Sequence, residues 1–337
     1  MATIKRRATI IDVARVAGVS RQTVTRALNG LPDVSPATRA RVVDTARSLR
    51  YRPNRAAQGL VHGGGVTVGL VVEDLRNPYF PELASALSRI ATDRGWSLVL
   101  CDIGAEEGRA RLSLAALVHR VDALLLTGCR TDTVALLPPE ALRGVGLGIP
   151  LVMLDGEESP HLDAVVRIDN RTGVYAALSH LRDIGRRRIG FIGSLLGSSL
   201  RNDLYRSFLT ENGLEWSEQS QVVVEETHQG GIDGAEQLIA QYPEMDAVLV
   251  YNDVMAIGAL KGFQHTKVEV PARIAVIGFD GLDIGSLVSP ELTTLSIDKS
   301  EIARHAIELV SNILDGTATP DDGSREVGLS LILRGSA

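Results

Sequence analysis

Three side chains near the start of the chain carry groups that can read a base pair. Arg21, Gln22 and Arg26 stand at i, i+1 and i+5. An arginine places two donors on guanine O6 and N7, and a glutamine pairs in the same two-point way with adenine. Around them Ser20, Thr23, Thr25 and Asn29 are short hydrogen-bonding side chains suited to phosphate oxygens. The charge distribution agrees. Residues 1–60 hold twelve Lys/Arg and three Asp, a balance of +9, whereas the whole chain carries −6, so the remainder carries −15. A basic module on an acidic body is a footprint for a polyanion, joined to a body that does not adhere to one.

Base-reading side chains need a rigid platform, and the surrounding sequence encodes one. Thr9-Ile-Ile-Asp12 is a capping box ahead of a helix in which Val13, Ala14 and Ala17 share a face, and Gly18 ends it. Ser20 caps a second helix, RQTVTRALNG, whose Val24, Ala27 and Leu28 face inward. Ser35 and Pro36 start a third, with Ala37, Val42 and Leu49 as its apolar positions. Two short helices around a glycine-containing turn, then a longer one, is helix-turn-helix spacing.

The next stretch, RPNRAAQGL (52–60), raises a difficulty. Asn54 can cap a helix, but Gly59 weakens it and HGGG (62–65) ends it. About seven residues is well below the roughly 12–15 that an isolated helix needs in water. One buried leucine, worth ~1.5–3 kcal/mol, does not offset ~1–2 kcal/mol per residue of backbone ordering.

From Val66 onward apolar strand-like runs alternate with helical stretches. The runs are 66–72, 97–102, 121–128, 149–155, 187–193, 246–252 and 273–280, and helices fit 81–95, 106–119, 171–185, 200–212, 230–241 and 252–264. Repeated βα units imply parallel sheets covered by helices on both faces. No apolar run reaches the ~18 residues of a membrane span, and the opening residues lack a signal-peptide apolar core. Cys101 and Cys129 lie in apolar runs and read as buried thiols. A cytoplasmic protein without membrane contact is expected. The seven histidines have no metal-ligand spacing, and GVGLG (144–148) follows no strand. No nucleophile–base pair is visible, so no enzyme, catalytic residue, metal or cofactor is expected.

TIIDVARVAGVSRQTVTRALNG, VSPATRARV and LRYRPNRAAQGL, taken together, resemble the N-terminal headpiece of LacI/GalR (lactose-repressor) family transcription regulators. The resemblance implies that 52–60 is a hinge helix, folded only when two copies pack in the DNA minor groove. Leu60 would then be a wedge in the central base step, with Asn54, Ala57 and Gln58 lining the groove and Arg55 near phosphate. A looser resemblance over the rest of the chain is to the family's periplasmic-binding-protein-like core of two α/β lobes. It implies a headpiece at 1–52, a hinge and linker at 53–65, and a core at 66–337. Lobe 1 would take 66–160 and 297–325, lobe 2 161–296 and 326–337, with crossings near 157–163, 290–298 and 320–328.

In such folds ligands meet the carboxyl ends of strands. Tyr79 and Phe80 follow the first strand, Asp155 ends the fourth, and Asn252, Asp253 and Asp280 end later ones. Carboxylates and an Asn suit a polyol; for Asp253 a helix cap is the other reading. Arg201 matches a family arginine that reaches the ligand. Ile297 and Gly156 depart from the Gln and Arg found there in sugar binders. The implied function is a sequence-specific regulator, most often a repressor. It would bind a pseudo-palindromic DNA operator as a homodimer and answer to a small effector, sugars leading. A sugar transport protein would have no use for residues 1–60, and an α/β enzyme lacks its chemistry here.

The hinge reading yields the first prediction. Leu60→Ala is expected to reduce operator affinity and DNA bending with little change in fold stability. Gly59→Ala, which raises helix propensity by about 1 kcal/mol per chain, is expected to tighten operator binding. Gel mobility with each variant, and amide exchange of residues 54–60 free and on DNA, measure both; strong protection in the free protein would refute the reading.

Overall fold

The computed structural model describes residues 9–28, 33–49, 65–104, 106–128, 133–142, 148–156, 159–195, 199–318 and 323–337. Asn29 and the hinge positions Asn54, Arg55, Ala57, Gln58 and Leu60 lie outside the described residues.

The headpiece is three helices, α1 (Ile10–Ala17), α2 (Arg21–Leu28) and α3 (Pro36–Ser48). Thr9 and Asp12 form the reciprocal capping box, with Thr9 N donating to Asp12 Oδ2 at 2.9 Å. Gly18 ends α1 at φ +67°, a left-handed conformation that glycine adopts at no steric cost. Ser20 Oγ accepts from Thr23 N at 3.1 Å, and Ser35 Oγ from Thr38 N at 3.2 Å. Val13, Ala14, Ala17, Val24, Ala27, Val34, Val42 and Ala46 form one small core, with Leu28 and Leu49 packed at its margin. Ala37, expected to face inward, is exposed; Ala46, one turn beyond Val42, is the alanine of α3 that enters the core.

The remaining chain builds two six-stranded sheets. The first has strand order β11-β5-β4-β3-β1-β2, from β1 (Thr67–Val72), β2 (Ser97–Asp102), β3 (Ala123–Thr127), β4 (Leu151–Leu154), β5 (Ala164–Ile168) and β11 (Ser324–Val327). The second has order β12-β10-β9-β8-β6-β7, from β6 (Ile189–Ser194), β7 (Gln221–Val224), β8 (Ala247–Val250), β9 (Ala275–Asp280), β10 (Thr293–Ile297) and β12 (Leu329–Ile332). The same order arises twice without a sequence repeat. β1, β2, β3 and β4 pair in parallel, as do β6 to β10, while β12 runs antiparallel to β10. The connecting helices are α4 (Tyr79–Asp93), α5 (Glu107–Val118), α6 (Thr133–Leu136), α7 (Asn170–Asp183), α8 (Leu200–Glu211), α9 (His228–Gln241), α10 (Asp253–His265) and α11 (Lys299–Asp315).

Strands covered on both faces read as unbroken apolar runs, and β3, β4, β8 and β9 are buried along their whole length. By contacts the chain divides into one unit of residues 1–74, 87–165 and 306–323 and another of 75–86, 166–305 and 324–337. The divisions fall at 165/166, 305/306 and 323/324. The resemblance had placed them at 160/161, 296/297 and 325/326. β5, which had no place among the expected strands, joins the first sheet, and the first division falls within it; the second falls within α11. A further difference is that residues 75–86, including the first half of α4, group with the second unit.

One acid organises the second unit. Asn252, not Asp253, is the N-cap of α10, its Oδ1 accepting from Met255 N at 2.9 Å. Asp253 is wholly buried and accepts from the Leu282 amide at 2.7 Å and the Thr294 hydroxyl at 2.6 Å. It ties α10 to β10 and to the turn after β9. Burial pushes its carboxyl up to about 7, against the opposing pull of those two hydrogen bonds and the Lys299 and Arg334 charges. That lies above the ~3.9 of an unfolded Asp, so the folded protein holds this proton more tightly. The resulting stability is complete below about pH 4 and is lost as pH rises through about 7. Asp253→Asn is therefore expected to flatten that part of the stability–pH profile, measured as urea midpoints between about pH 4 and 8. Parallel profiles for the two proteins would show that Asp253 does not titrate there.

Candidate functional site

The outward face of α2 presents Arg21, Gln22 and Arg26 to solvent, while Val24 and Ala27 anchor the opposite face in the headpiece core. This is the geometry of a helix that can lay its leading residues against base edges. Arg26 Nη1 is paired with Asp33 Oδ2 at 2.7 Å, both groups about half exposed. An exposed pair of this kind is worth little, so Asp33 can orient the guanidinium and still release it. Ser20 combines exposure with its capping role; Thr23 and Thr25 are half-buried, and the Thr25 hydroxyl donates to Arg21 O at 3.1 Å.

In the second unit the strand order reverses direction at β6, whose neighbours are β7 and β8. Ligand crevices in open α/β sheets open at such a switch point, beyond the carboxyl ends of the strands. Arg201, in the first turn of α8, reaches this place. Its Nη1 donates to Tyr251 O at 2.7 Å and its Nε to Asn170 Oδ1 at 3.2 Å. Its guanidinium carbon lies 3.5 Å from the Phe279 ring centroid and 4.7 Å from that of Tyr251. Residues 251 and 279 directly precede Asn252 and Asp280, so three expected residues are brought together. Arg201, Asn252 and Asp280 are 8%, 2% and 6% exposed.

Tyr79 and Phe80 open α4 in the same unit, edge to face at 5.4 Å and both buried. Lys299 Nζ lies 5.6 Å from the Tyr79 ring centroid and donates to Asp280 O at 2.8 Å. Asp155 directly follows β4 in the first unit. Among the described residues, three non-glycines have positive φ: Asp155 at 55°, Lys267 at 57° and Asp280 at 114°. Two of the three are strand-end aspartates singled out from the sequence. Strained backbone persists where the surroundings over-determine it, and it gathers at functional sites.

Several neighbours were missed by the sequence reading. Asn170 holds Arg201 and also donates to Ile168 O at 3.1 Å; it follows β5, a strand that was not recognised. Ser194 at the end of β6 hydrogen-bonds Glu226 in the loop after β7. Lys299 also meets Glu82 Oε2 at 3.1 Å. Only Ser194 carries a sequence signal, its place at a strand end. Gly156 has a packing reason: a β-carbon there would meet the Met153 side chain at 2.6 Å. Among the described residues no group of three or more His, Cys, Asp or Glu is placed to hold a metal ion, and no helix is long and apolar enough to cross a membrane.

Comparison with known proteins agrees with both halves of this description. Residues 9–54 match the model of bacterial regulatory proteins of the lacI family, and residues 178–337 that of the periplasmic binding protein-like domain. The ribose operon repressor of Escherichia coli (strain K12) is 32% identical over 307 residues, 90% of this chain and 92% of that protein. A transcriptional regulator CelR–cellobiose complex superposes with a TM-score of 0.72 at 27% identity, covering 98% of this chain and 100% of that one. The Lac repressor dimer bound to operator and the anti-inducer ONPF gives 0.71 at 25% identity, covering 98% and 99%. With a capped, basic helix-turn-helix ahead of two doubly wound sheets, and with these relatives along nearly its whole length, the chain belongs to the LacI family of DNA-binding transcriptional regulators.

Proposed function

We propose that the protein is a repressor that binds a pseudo-palindromic operator as a homodimer in the cytoplasm and responds to an uncharged polyol, a sugar or sugar derivative. The carrying observation is the exposed Arg21–Gln22–Arg26 face of α2. In this reading those three side chains contact bases, and Ser20, Thr23, Thr25, Asn29, Asn54 and Arg55 contact the DNA backbone. Ala57, Gln58 and Leu60 enter the minor groove. No catalytic residue, cofactor or metal is assigned.

The charge inventory at the strand ends supports this effector class. Arg201 arrives already bonded to Asn170 and the Tyr251 carbonyl, and Lys299 arrives paired with Glu82. Oxygen acceptors on Asp280 and Asn252 suit hydroxyl donors better than an anion. The names of two relatives, a ribose operon repressor and a regulator complexed with cellobiose, point the same way. Asp155, Tyr79 and Phe80 complete the proposed effector set. Support for a dimer comes from the edge strand β2, where Val99 and Leu100 are exposed, and from Leu287, 82% exposed. Uncovered apolar edges of this kind are surfaces a second copy can close.

Two predictions test this. Arg26→Ala should relax base preference at one position of each half-site, at a cost of ~1–3 kcal/mol; a binding-site selection returning the wild-type motif unchanged would remove Arg26 from base reading. Asp280→Gly should abolish the sugar response while leaving operator binding intact. Because glycine relieves the φ of 114°, this variant should hold or gain stability, within the ~1–3 kcal/mol that such strain costs. Gel shifts across a panel of pentoses, hexoses and disaccharides, with urea midpoints alongside, measure both effects. A retained response would exclude Asp280 from the site.

A further inference from the structure

Lys299 is the first residue of α11 and its side chain is 10% exposed. An ammonium has three N–H donors and no acceptor. Here it faces three oxygens: Asp280 O at 2.8 Å, Gly281 O at 3.5 Å and Glu82 Oε2 at 3.1 Å. The first two belong to the strained turn after β9. The third belongs to α4.

The turn is held from both sides. Its amides are taken from below, Leu282 N by Asp253 and Gly281 N by Thr294 Oγ1 at 3.3 Å. Its carbonyls are taken by Lys299. A φ of 114° at Asp280 needs such opposed restraints to persist. Glu82 stands in the first turn of a helix whose residues 79–86 group with the second unit and whose residues 87–93 group with the first. A helix is a rigid element, so a displacement of its first turn is carried along it. Beside the ammonium lies a cavity of about 570 Å³ whose lining includes Glu82, Asp283, Ser296, Lys299 and Glu301. The cleft is open to solvent, so Lys299 has space to move and further carboxylates along the same walls.

We propose that Lys299 is a positioning residue that couples the Asp280 turn to α4 through Glu82, so that a ligand seated on Asp280 displaces the helix shared by both units. This rests on the effector reading of Asp280, but the mechanical link is testable without any effector. Hydrogen exchange would be followed in the full-length protein on peptides covering 78–87 and 279–285, for Lys299→Met, Lys299→Arg and Glu82→Gln. Lys299→Met should raise exchange in both peptides by about tenfold or more, since the nearly buried ammonium that joins Glu82 to the two carbonyls is removed. Glu82→Gln should raise exchange in 279–285, which Glu82 meets through the Lys299 ammonium, and Lys299→Arg should return both peptides toward wild type. If Glu82→Gln leaves 279–285 unchanged, or if arginine does no better than methionine, the coupling is wrong. A protein that passes the exchange test but whose operator binding answers to no sugar in the panel has the coupling and lacks the proposed effector class, so the two failures stay separate.

Discussion

The carboxyl group of Asp253 accepts the Leu282 amide and the Thr294 hydroxyl where no solvent reaches it. A buried polar group without partners costs several kcal/mol, roughly 1–3 by mutational measures, so these bonds fix what surrounds them. They register the start of α10 against β10 and pull in the turn after β9. Asn252, one residue earlier, is thereby placed as the α10 cap at the mouth of the switch point. Asp280, two residues before Leu282, closes β9 at the start of that turn. Asn252 and Asp280 thus both stand on one buried acid.

The headpiece follows a different economy. Its helices α1 and α2 are eight residues each, too short to persist alone in water. Its core is built largely from alanine and valine. Caps at Thr9, Ser20 and Ser35 satisfy helix amides that so small a core cannot hide. Packing the small residues inward leaves the long side chains on the outer face, where the basic charge gathers. Asp12 and Asp33, two of the three acids in residues 1–60, pair with Arg15 and Arg26.

These differences explain what the sequence made legible. Fully buried strands such as ALLLT and AVIGFD announce themselves, because both faces need apolar residues. Caps at Thr9, Ser20 and Ser35 were readable because capping chemistry is local. The four-residue strands QVVV, SREV and LSLI at sheet margins were not, since half-exposed edges lack a pattern long enough to separate from loop. Ala37 and Ala46 are alike to any hydrophobicity argument, and only the helix's rotation against its partners decides between them. Arg201 came from family resemblance. Asn170 and Lys299 could not be found at all, because what gives each its role is a neighbour far off in the chain, Arg201 for one and Glu82 for the other.

The two strand-end aspartates also differ physically. Asp155, at φ 55°, lies in the left-handed region that Asp visits readily through local hydrogen bonding. That conformation needs little outside help. Asp280, at φ 114°, lies beyond it, where an L side chain is held only by force. The restraints are distributed accordingly: amide acceptors beneath the second turn, an ammonium on its carbonyls, and an ion pair carrying that ammonium to α4. A residue kept against its backbone preference gives up its strain when displaced, at the expense of the bonds that hold it. In the proposed effector site, Asp280 is thus the residue whose movement would be felt through those bonds, while Asp155, at ease in its conformation, would hold a ligand in place.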